Sequence, residues 1–409
     1  ADAENVALGY VAMGNATTGK YNVAVGARAM ESGITTGDNN VSIGRYAGKQ
    51  VTSGANNILI GGNAGVAITT GGNNVALGHN ALSTEDTGHG SVAIGSFALE
   101  DQDAGNAYNV AVGFSAGLEV TSGLYNTLIG GYAGDALTTG SENIAIGYAA
   151  LSSEDGNGKN VAIGVNALED LNAGADAYNI AIGHDAGRNV TTGIKNNLIG
   201  GLAGDALTTG SYNVAIGYNA LSTEDEHGRN IAIGHNALFS LNAGADAYNV
   251  AIGYDTGWNI TTGVNNVLVG GQAGDALTTG NHNIAIGRDA LSTEDAHGYN
   301  IAIGGYALQD QDAGVDAHNI AIGHQAGTDV STGIRNILIG GFTGDALTTG
   351  SYNVAIGYDA LSTEDGNGLN VAIGYAALKT QNAGADAYNV AIGFEAGKLV
   401  STGIYNTLI

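Results

Sequence analysis

The chain has 409 residues, 69 of them Gly, and it contains neither Pro nor Cys. The lack of Pro excludes collagen, and the lack of Cys excludes a disulfide framework. The formal net charge is −26, from 12 Lys and Arg against 38 Asp and Glu. Binding to nucleic acid or to an anionic membrane surface needs clustered basic residues, which are missing here. No apolar run reaches the roughly 18 residues of a membrane-spanning helix. We therefore expect no nucleic-acid partner and no membrane insertion for this segment.

One five-residue sequence, seen clearly at Asn213-Val214-Ala215-Ile216-Gly217, recurs along the chain, mostly at steps of 17 residues. We number positions in each repeat from this Asn as zero. Positions +1 and +3 are mostly branched aliphatic, +2 is mostly Ala and +4 is Gly. This alternation is typical of a short β-strand, and the frequent Gly disfavours a helix. The sequence therefore predicts an all-β fold, a parallel β-solenoid with about 17 residues in each coil.

Two positions of the repeat predict how a coil is built. Asn side chains stacked in successive coils can hydrogen-bond as a ladder. A Gly repeated after each strand indicates a corner with positive φ or a close backbone approach. The candidate ladder residues are Asn109, Asn179, Asn213, Asn249 and Asn319, and the candidate corner residues are Gly113, Gly183, Gly217 and Gly253.

From Asn109 onward a period of 70 residues lies over the short one, in blocks of four coils with 17, 17, 17 and 19 residues. The second coil has Leu at +2, the third has an acidic turn such as Glu154-Asp155, and the fourth has a two-residue insertion. Because both ends fall within the repeat, we expect residues 1–409 to be one continuous solenoid segment of a longer chain. The blocks are 1–39 (partial), 40–108, 109–178, 179–248, 249–318, 319–388 and 389–409 (partial).

The strand alternation also suggests a contact surface. If the side chains at +1 and +3 point into the coil, those at +2 form an outward row of Ala with a Leu in every fourth coil. Such a row suits packing against another copy better than contact with water. In the alternative interpretation Leu turns inward on a locally shifted strand, because Thr127 and Asn197 make +1 polar in two of those coils. The candidate subunit interface comprises Leu59, Leu128, Leu198, Leu268, Leu338, Ala215 and Ala285.

The unit from Asn213 to Leu221 resembles the repeat of YadA-like trimeric adhesin heads, whose core is Ser/Asn-Val-Ala-Ile-Gly. With its Thr-Thr-Gly turns it is also similar to repeats of phage tail-fibre and tail-fibre-domain proteins. The resemblance covers essentially the whole chain, but the coils are longer than those of adhesin heads. It implies a left-handed β-roll, a homotrimer, and an extracellular, cell-surface or virion location. It leaves open a cell-surface glycan or receptor as a further partner.

No constellation of catalytic residues is visible, because there is no Cys nucleophile and the nine His residues occupy varied turn positions. We expect no enzyme activity, no cofactor and no metal site. The slot after the corner Gly holds Tyr148 or His184 in some coils but Ser96 or Val165 in others, which favours a tolerant position over a sugar-binding row. Tyr residues just before the ladder Asn are interpreted as rings that stack over the corner. The acidic turns offer too few oxygens for Ca²⁺ and are interpreted as solvated.

These observations favour a structural protein. The first hypothesis is the shaft of a trimeric extracellular or virion fibre, which spans distance and supports attachment to a surface. The alternative is a self-polymerising extracellular filament or sheath. An ice-binding solenoid is a remote third, because the flat column of Thr-x-Thr that it needs is absent.

Overall fold

The computed structural model describes residues 4–31 and 34–409, and its regular secondary structure consists of short β-strands with turns between them. The chain forms two compact units, Ala1–Thr209 and Gly210–Ile409. The first unit contains β1–β12 and the second β13–β24. The strands are Val6–Leu8, Val23–Val25, Val41–Ile43, Ile58–Ile60, Val75–Leu77, Val92–Ile94, Val110–Val112, Thr127–Ile129, Ile144–Ile146, Val161–Ile163, Ile180–Ile182, Asn197–Ile199, Val214–Ile216, Ile231–Ile233, Val250–Ile252, Val267–Val269, Ile284–Ile286, Ile301–Ile303, Ile320–Ile322, Ile337–Ile339, Val354–Ile356, Val371–Ile373, Val390–Ile392 and Thr407–Leu408.

Within each unit, every strand pairs in parallel with the strand one coil further on. The register joins equivalent positions, so that Val250 lies beside Val267 and Ala251 beside Leu268. The same register holds across the 19-residue coils, where Ile231 lies beside Val250. The prediction of an all-β parallel solenoid with about 17 residues per coil is therefore confirmed.

The ladder Asn side chain closes its own coil and joins it to the next. Asn109 Nδ2 donates to the carbonyl oxygen of Gly123, at the end of the same coil, over 2.7 Å. Asn109 Oδ1 accepts the backbone N–H of Asn126, in the next coil, over 2.8 Å. The side chain is fully buried. Asn179, Asn213, Asn249 and Asn319 are also fully buried and accept the N–H of the next ladder Asn over 2.8–3.0 Å. The predicted ladder is confirmed.

The Gly after each strand makes the predicted corner. Gly113, Gly183, Gly217 and Gly253 have φ angles between +137° and +150°. Other residues rarely adopt this conformation. A Cβ atom built on Gly253 would lie 2.5 Å from the carbonyl oxygen of Gly270, in the next coil. Both the backbone angle and the close approach of successive coils therefore require Gly here.

The predicted facing of the strands is wrong. All seven residues of the candidate subunit interface are fully buried inside the coil: Leu59, Leu128, Leu198, Leu268, Leu338, Ala215 and Ala285. The Val and Ile side chains at +1 and +3 point outward instead and are partly exposed, as the burial pattern of β13 shows. The strand at Thr127 has the same facing and pairs in the common register, so Leu128 turns inward without a shifted strand. Alternation with period two defines two faces but does not say which one is inside.

The 70-residue period follows from the volume inside the coil. Leu268 at +2 of a second coil fills space beside Gly257 and Gly274, which occupy position +8 in the first and second coils. A Cβ atom added to either Gly would lie 2.9 Å from a Leu268 methyl carbon. In the third and fourth coils the sizes are exchanged, with Ala285 and Ala302 at +2 and Leu at +8. Each coil therefore has at most one large side chain at these two positions, and the first coil, with Ala251 and Gly257, has none because Leu268 of the second coil fills the space.

We expect replacement of a corner Gly to be far more costly than replacement of a turn Gly. Gly253→Ala should lower the free energy of unfolding by about 3 kcal/mol, because Ala is strained at this φ and meets the Gly270 carbonyl. Gly314→Ala should cost about 1 kcal/mol, since its φ is +66° and nothing lies within 4 Å of an added Cβ. Urea unfolding of the two variants tests this, and equal losses would contradict the assigned corner.

Leu268→Ala should lower the free energy of unfolding by about 2–5 kcal/mol, because it leaves a cavity in a closely packed interior. Leu268→Met keeps most of the volume and should cost less than about 1.5 kcal/mol. Thermal and urea unfolding measure both. A Leu268→Ala variant as stable as the Met variant would show that this side chain is not part of the core.

Candidate interaction surface

The outward side chains at +1 and +3 form an apolar surface, which we call the strand face. Position +3 is aliphatic in every coil, and +1 is Val or Ile except at Thr127, Asn197 and Thr407. Ile252, for example, is 38% exposed. The strand face of neither unit carries a charged residue, although the chain has a net charge of −26. Within residues 4–31 and 34–409, the charged side chains therefore lie outside the strands.

The strand face of each unit is as large as the largest apolar patches of typical soluble monomers, and such patches are often functional. Twelve strands stacked at about 4.8 Å and about 10 Å long give a strip of roughly 500 Å². Soluble monomers rarely expose contiguous apolar patches of more than a few hundred Å². The strand face is therefore the best candidate interaction surface of the molecule, in place of the buried Ala and Leu row.

A row of aromatic rings follows the strand face just after the corner Gly, and we call it the ring row. At Ser96 and Gly131, where position +5 is small, +6 supplies the ring, whereas the coils of Gly62, Gly201 and Gly271 have no ring at either position. Neighbouring ring centroids lie 5.4–5.8 Å apart in a run of five rings, His79, Phe97, Phe114, Tyr132 and Tyr148. The sequence prediction considered position +5 alone, interpreted it as a tolerant position, and so did not detect this run of rings. The exchange between +5 and +6 is the signal that would have found it.

Part of the ring row in the second unit has a geometry that does not favour sugar stacking, whereas the rings from Tyr306 to Tyr358 meet edge to face. Tyr358 and Tyr375 are nearly parallel, with centroids 5.9 Å apart, and Tyr375 and Phe394 are 5.3 Å apart at 11°. A sugar stacks on a free ring face, but parallel rings cover each other's faces and present their edges. These rings therefore extend the apolar surface without forming a platform for a glycan.

A second row borders the other end of the strands, one residue before the ladder Asn. Tyr108 and Tyr125 stack on each other, with centroids 5.9 Å apart and planes 4° apart. His282, Tyr299 and His318 continue in the same manner, with centroids 5.1 Å apart. Apolar or aromatic groups therefore occupy the strand face and much of both its borders.

The interpretation of the acidic turns as solvated is wrong for their Glu residues. Glu85, Glu154, Glu224, Glu294 and Glu364 are fully buried at position +11, which holds Leu, Ile, Val or Gln in most other coils. Glu154 Oε1 accepts hydrogen bonds of 3.1 Å from the backbone N–H and the Nδ2 of Asn157. Burial raises the pKa of all five Glu carboxyls. The Asp that follows, such as Asp155, stays exposed.

A second set of carboxyls lies at +9 of the second coils. Asp135, Asp275 and Asp345 are half-buried, and in each of them Oδ1 is buried without a hydrogen-bond partner. Desolvation raises the pKa of each of the three to about 6, and neighbouring carboxylates contribute to the shift. Their burial therefore links the stability of the fold to pH.

A comparison of the sequence with protein-family models and with curated proteins finds no match. Within the described residues, no helix has the length and the apolar content that crossing a membrane would require. The function is therefore inferred from the geometry of the chain itself.

We expect Asp135, Asp275 and Asp345 to favour the folded state at acid pH. Because their pKa is about 6 in the fold and 3.8 for the ordinary group, the fold binds protons more tightly. Their stabilising contribution is full below pH 3.8 and is lost as the pH rises through about 6. The triple Asp→Asn variant should therefore melt higher than the parent at pH 7, and its melting temperature should vary less between pH 4 and 7.

A matched control replaces three exposed Asp residues, Asp101, Asp170 and Asp310, by Asn. This control removes the same number of charges. If it changes the pH profile of the melting temperature as much as the first variant does, net charge and not burial sets the profile.

Proposed function

We propose that this chain is the structural shaft of a fibre, built from copies of the chain that pack along their strand faces. The observation that carries the proposal is an uncharged, partly exposed surface of Val and Ile on a chain with a net charge of −26. The sequence resemblance supports three copies and an extracellular or virion location. The shaft spans distance and supports attachment to a cell or surface.

A second copy of the chain suits the strand face better than an unrelated partner does. The face repeats at the spacing of the strands, so an identical face offers the same spacing of side chains over the length of a unit. Both surfaces are uncharged, so the acidic turns can remain in water while the apolar side chains pack. A repeating sequence supplies both halves of such a contact without a second protein.

The strand face supplies a large part of the area that a stable contact buries. A standard protein interface buries about 800 Å² on each partner. The strand face of one unit is roughly 500 Å² before the bordering rings are counted. The rings add apolar area at both ends of each strand, and aromatic residues are enriched in interfaces.

The coil architecture suits a mechanical role. The ladder Asn side chains, such as Asn109 and Asn249, join consecutive coils by buried hydrogen bonds in addition to the strand pairing. A fold that repeats its contacts from coil to coil gains length without needing a larger core. Length at constant cross-section is what a shaft requires.

The mass of the chain in solution tests the proposal. Sedimentation or light scattering should give three times the chain mass of 40.7 kDa. A variant with Glu in place of Ile252, Ile286 and Ile322, each 37–38% exposed on the strand face, should be monomeric. Buried like charges and lost apolar contacts would disfavour the assembly.

The matched control places Glu at Thr262, Thr279 and Thr332, which are exposed in the turns of the same unit. This variant adds the same charge and should keep the mass of the parent. A monomeric parent chain would overturn the proposal. Polymers without a defined mass would favour the self-polymerising filament, and assembly of the Ile→Glu variant would remove the strand face as the contact.

A further inference from the structure

The buried Glu of each acidic turn accepts the backbone N–H three residues ahead, but the residue that supplies this group differs between blocks. It is Asn157 in one block and Asn367 in another, and each of these Asn side chains also donates to its Glu, over 3.1 Å. In two other blocks it is His227 and His297. A His nitrogen can bind a metal ion, whereas the Asn Nδ2 in the same place is a hydrogen-bond donor.

The carboxylate of Glu294 is incompletely satisfied. The side chain is fully buried, and its Oε1 accepts the N–H of His297 over 3.0 Å. His297 Nδ1 lies 3.2 Å from the same oxygen. Oε2 is buried and has no hydrogen-bond partner. A buried carboxylate oxygen without a partner is costly, so a bound cation would stabilise this arrangement.

Two further carboxylates complete a possible coordination sphere. Asp295 is adjacent to Glu294, and Asp312 comes from the following coil. Each of Glu294, Asp295, His297 and Asp312 offers a ligand atom within 4.8 Å of the others. Two ligand atoms bound to Zn²⁺ at 2.0–2.2 Å in tetrahedral geometry are about 3.3–3.6 Å apart. The 3.2 Å between Glu294 Oε1 and His297 Nδ1 is close to the lower end of that range.

We propose that Glu294, His297 and Asp312, together with Asp295, bind a divalent transition-metal ion of the Zn²⁺ type. Imidazole nitrogen combined with carboxylate oxygen suits Zn²⁺, whereas Ca²⁺ prefers oxygen ligands alone. The ion would link two adjacent coils and so add to the stability of the unit. The site is separate from the strand face and does not depend on the proposed assembly.

The related turns lack parts of this arrangement. His227 Nδ1 is 3.8 Å from Glu224 Oε1, and Asn242 takes the place of Asp312. Glu224 Oε2 accepts the N–H of Ala243. In the turn of Glu85 the cluster contains only acids, and Gln102 Nε2 donates to Glu85 Oε2 over 3.0 Å. The Glu294 turn therefore combines a His, an Asp from the next coil and an unpartnered carboxylate oxygen.

Zn²⁺ titration of the metal-free full chain, followed by calorimetry and repeated with Co²⁺ by absorption spectroscopy, tests the site. The parent chain should bind one Zn²⁺ at this site and melt at a higher temperature when it is bound. His297→Asn should abolish that binding step while its metal-free melting temperature stays unchanged, because Asn occupies this place in two other turns. Asp312→Asn should weaken binding roughly tenfold or more.

His227→Asn is the matched control and should retain the binding step. Zn²⁺ binding by His297→Asn equal to that of the parent would overturn the assignment, and so would an equal loss in His227→Asn. A third measurement does not depend on any variant folding: Zn²⁺ should shift the imidazole NMR signals of His297 in the parent chain. Unchanged His297 signals at saturating Zn²⁺ would also overturn it.

Discussion

The fold depends on a buried Asn that closes each coil and holds the next one. Its side-chain amide donates to the carbonyl at the far end of its own coil, as Asn109 does to Gly123, and its oxygen accepts the N–H of the following Asn. A strand of only three residues makes few backbone hydrogen bonds with the next strand. The Asn side chain therefore fixes both the closure of the coil and the register between coils. Both of these functions need a donor and an acceptor at once, which the amide side chain supplies.

The stacked coils enclose a narrow interior, and the volume of this interior limits which side chains can occupy it. A coil holds at most one large side chain at +2 or +8, as the exchange between Leu268 with its flanking Gly residues and Ala285 with Leu291 shows. Leu291 has a φ of +52°, which costs a branched side chain about 1–2 kcal/mol. Coils with Gly at +8 avoid that strain and fill the space from the strand. The same narrow interior includes the buried Glu of each acidic turn at +11.

The inward Ala has a consequence for the outside of the molecule. With small residues inside, the Val and Ile that give the strands their β-propensity are left facing solvent. The strand face is therefore a consequence of how the coil is packed, and its uncharged surface between rows of rings is what the proposed fibre uses. The proposed metal site lies in the turns, where insertions and substitutions change the coil without disturbing the ladder.

The sequence alone determined the coil length, the Asn ladder, the corner Gly and the 70-residue period, because each depends on a residue type recurring at a fixed spacing. Only the tertiary structure decided that Ala and Leu lie inside, because alternation is symmetric and the inward face depends on what packs opposite it at +8. It also decided that Glu294 is buried and that Asp312 lies beside it. Those two positions belong to different coils, and their distance is set by the stacking of coils and not by their spacing along the chain.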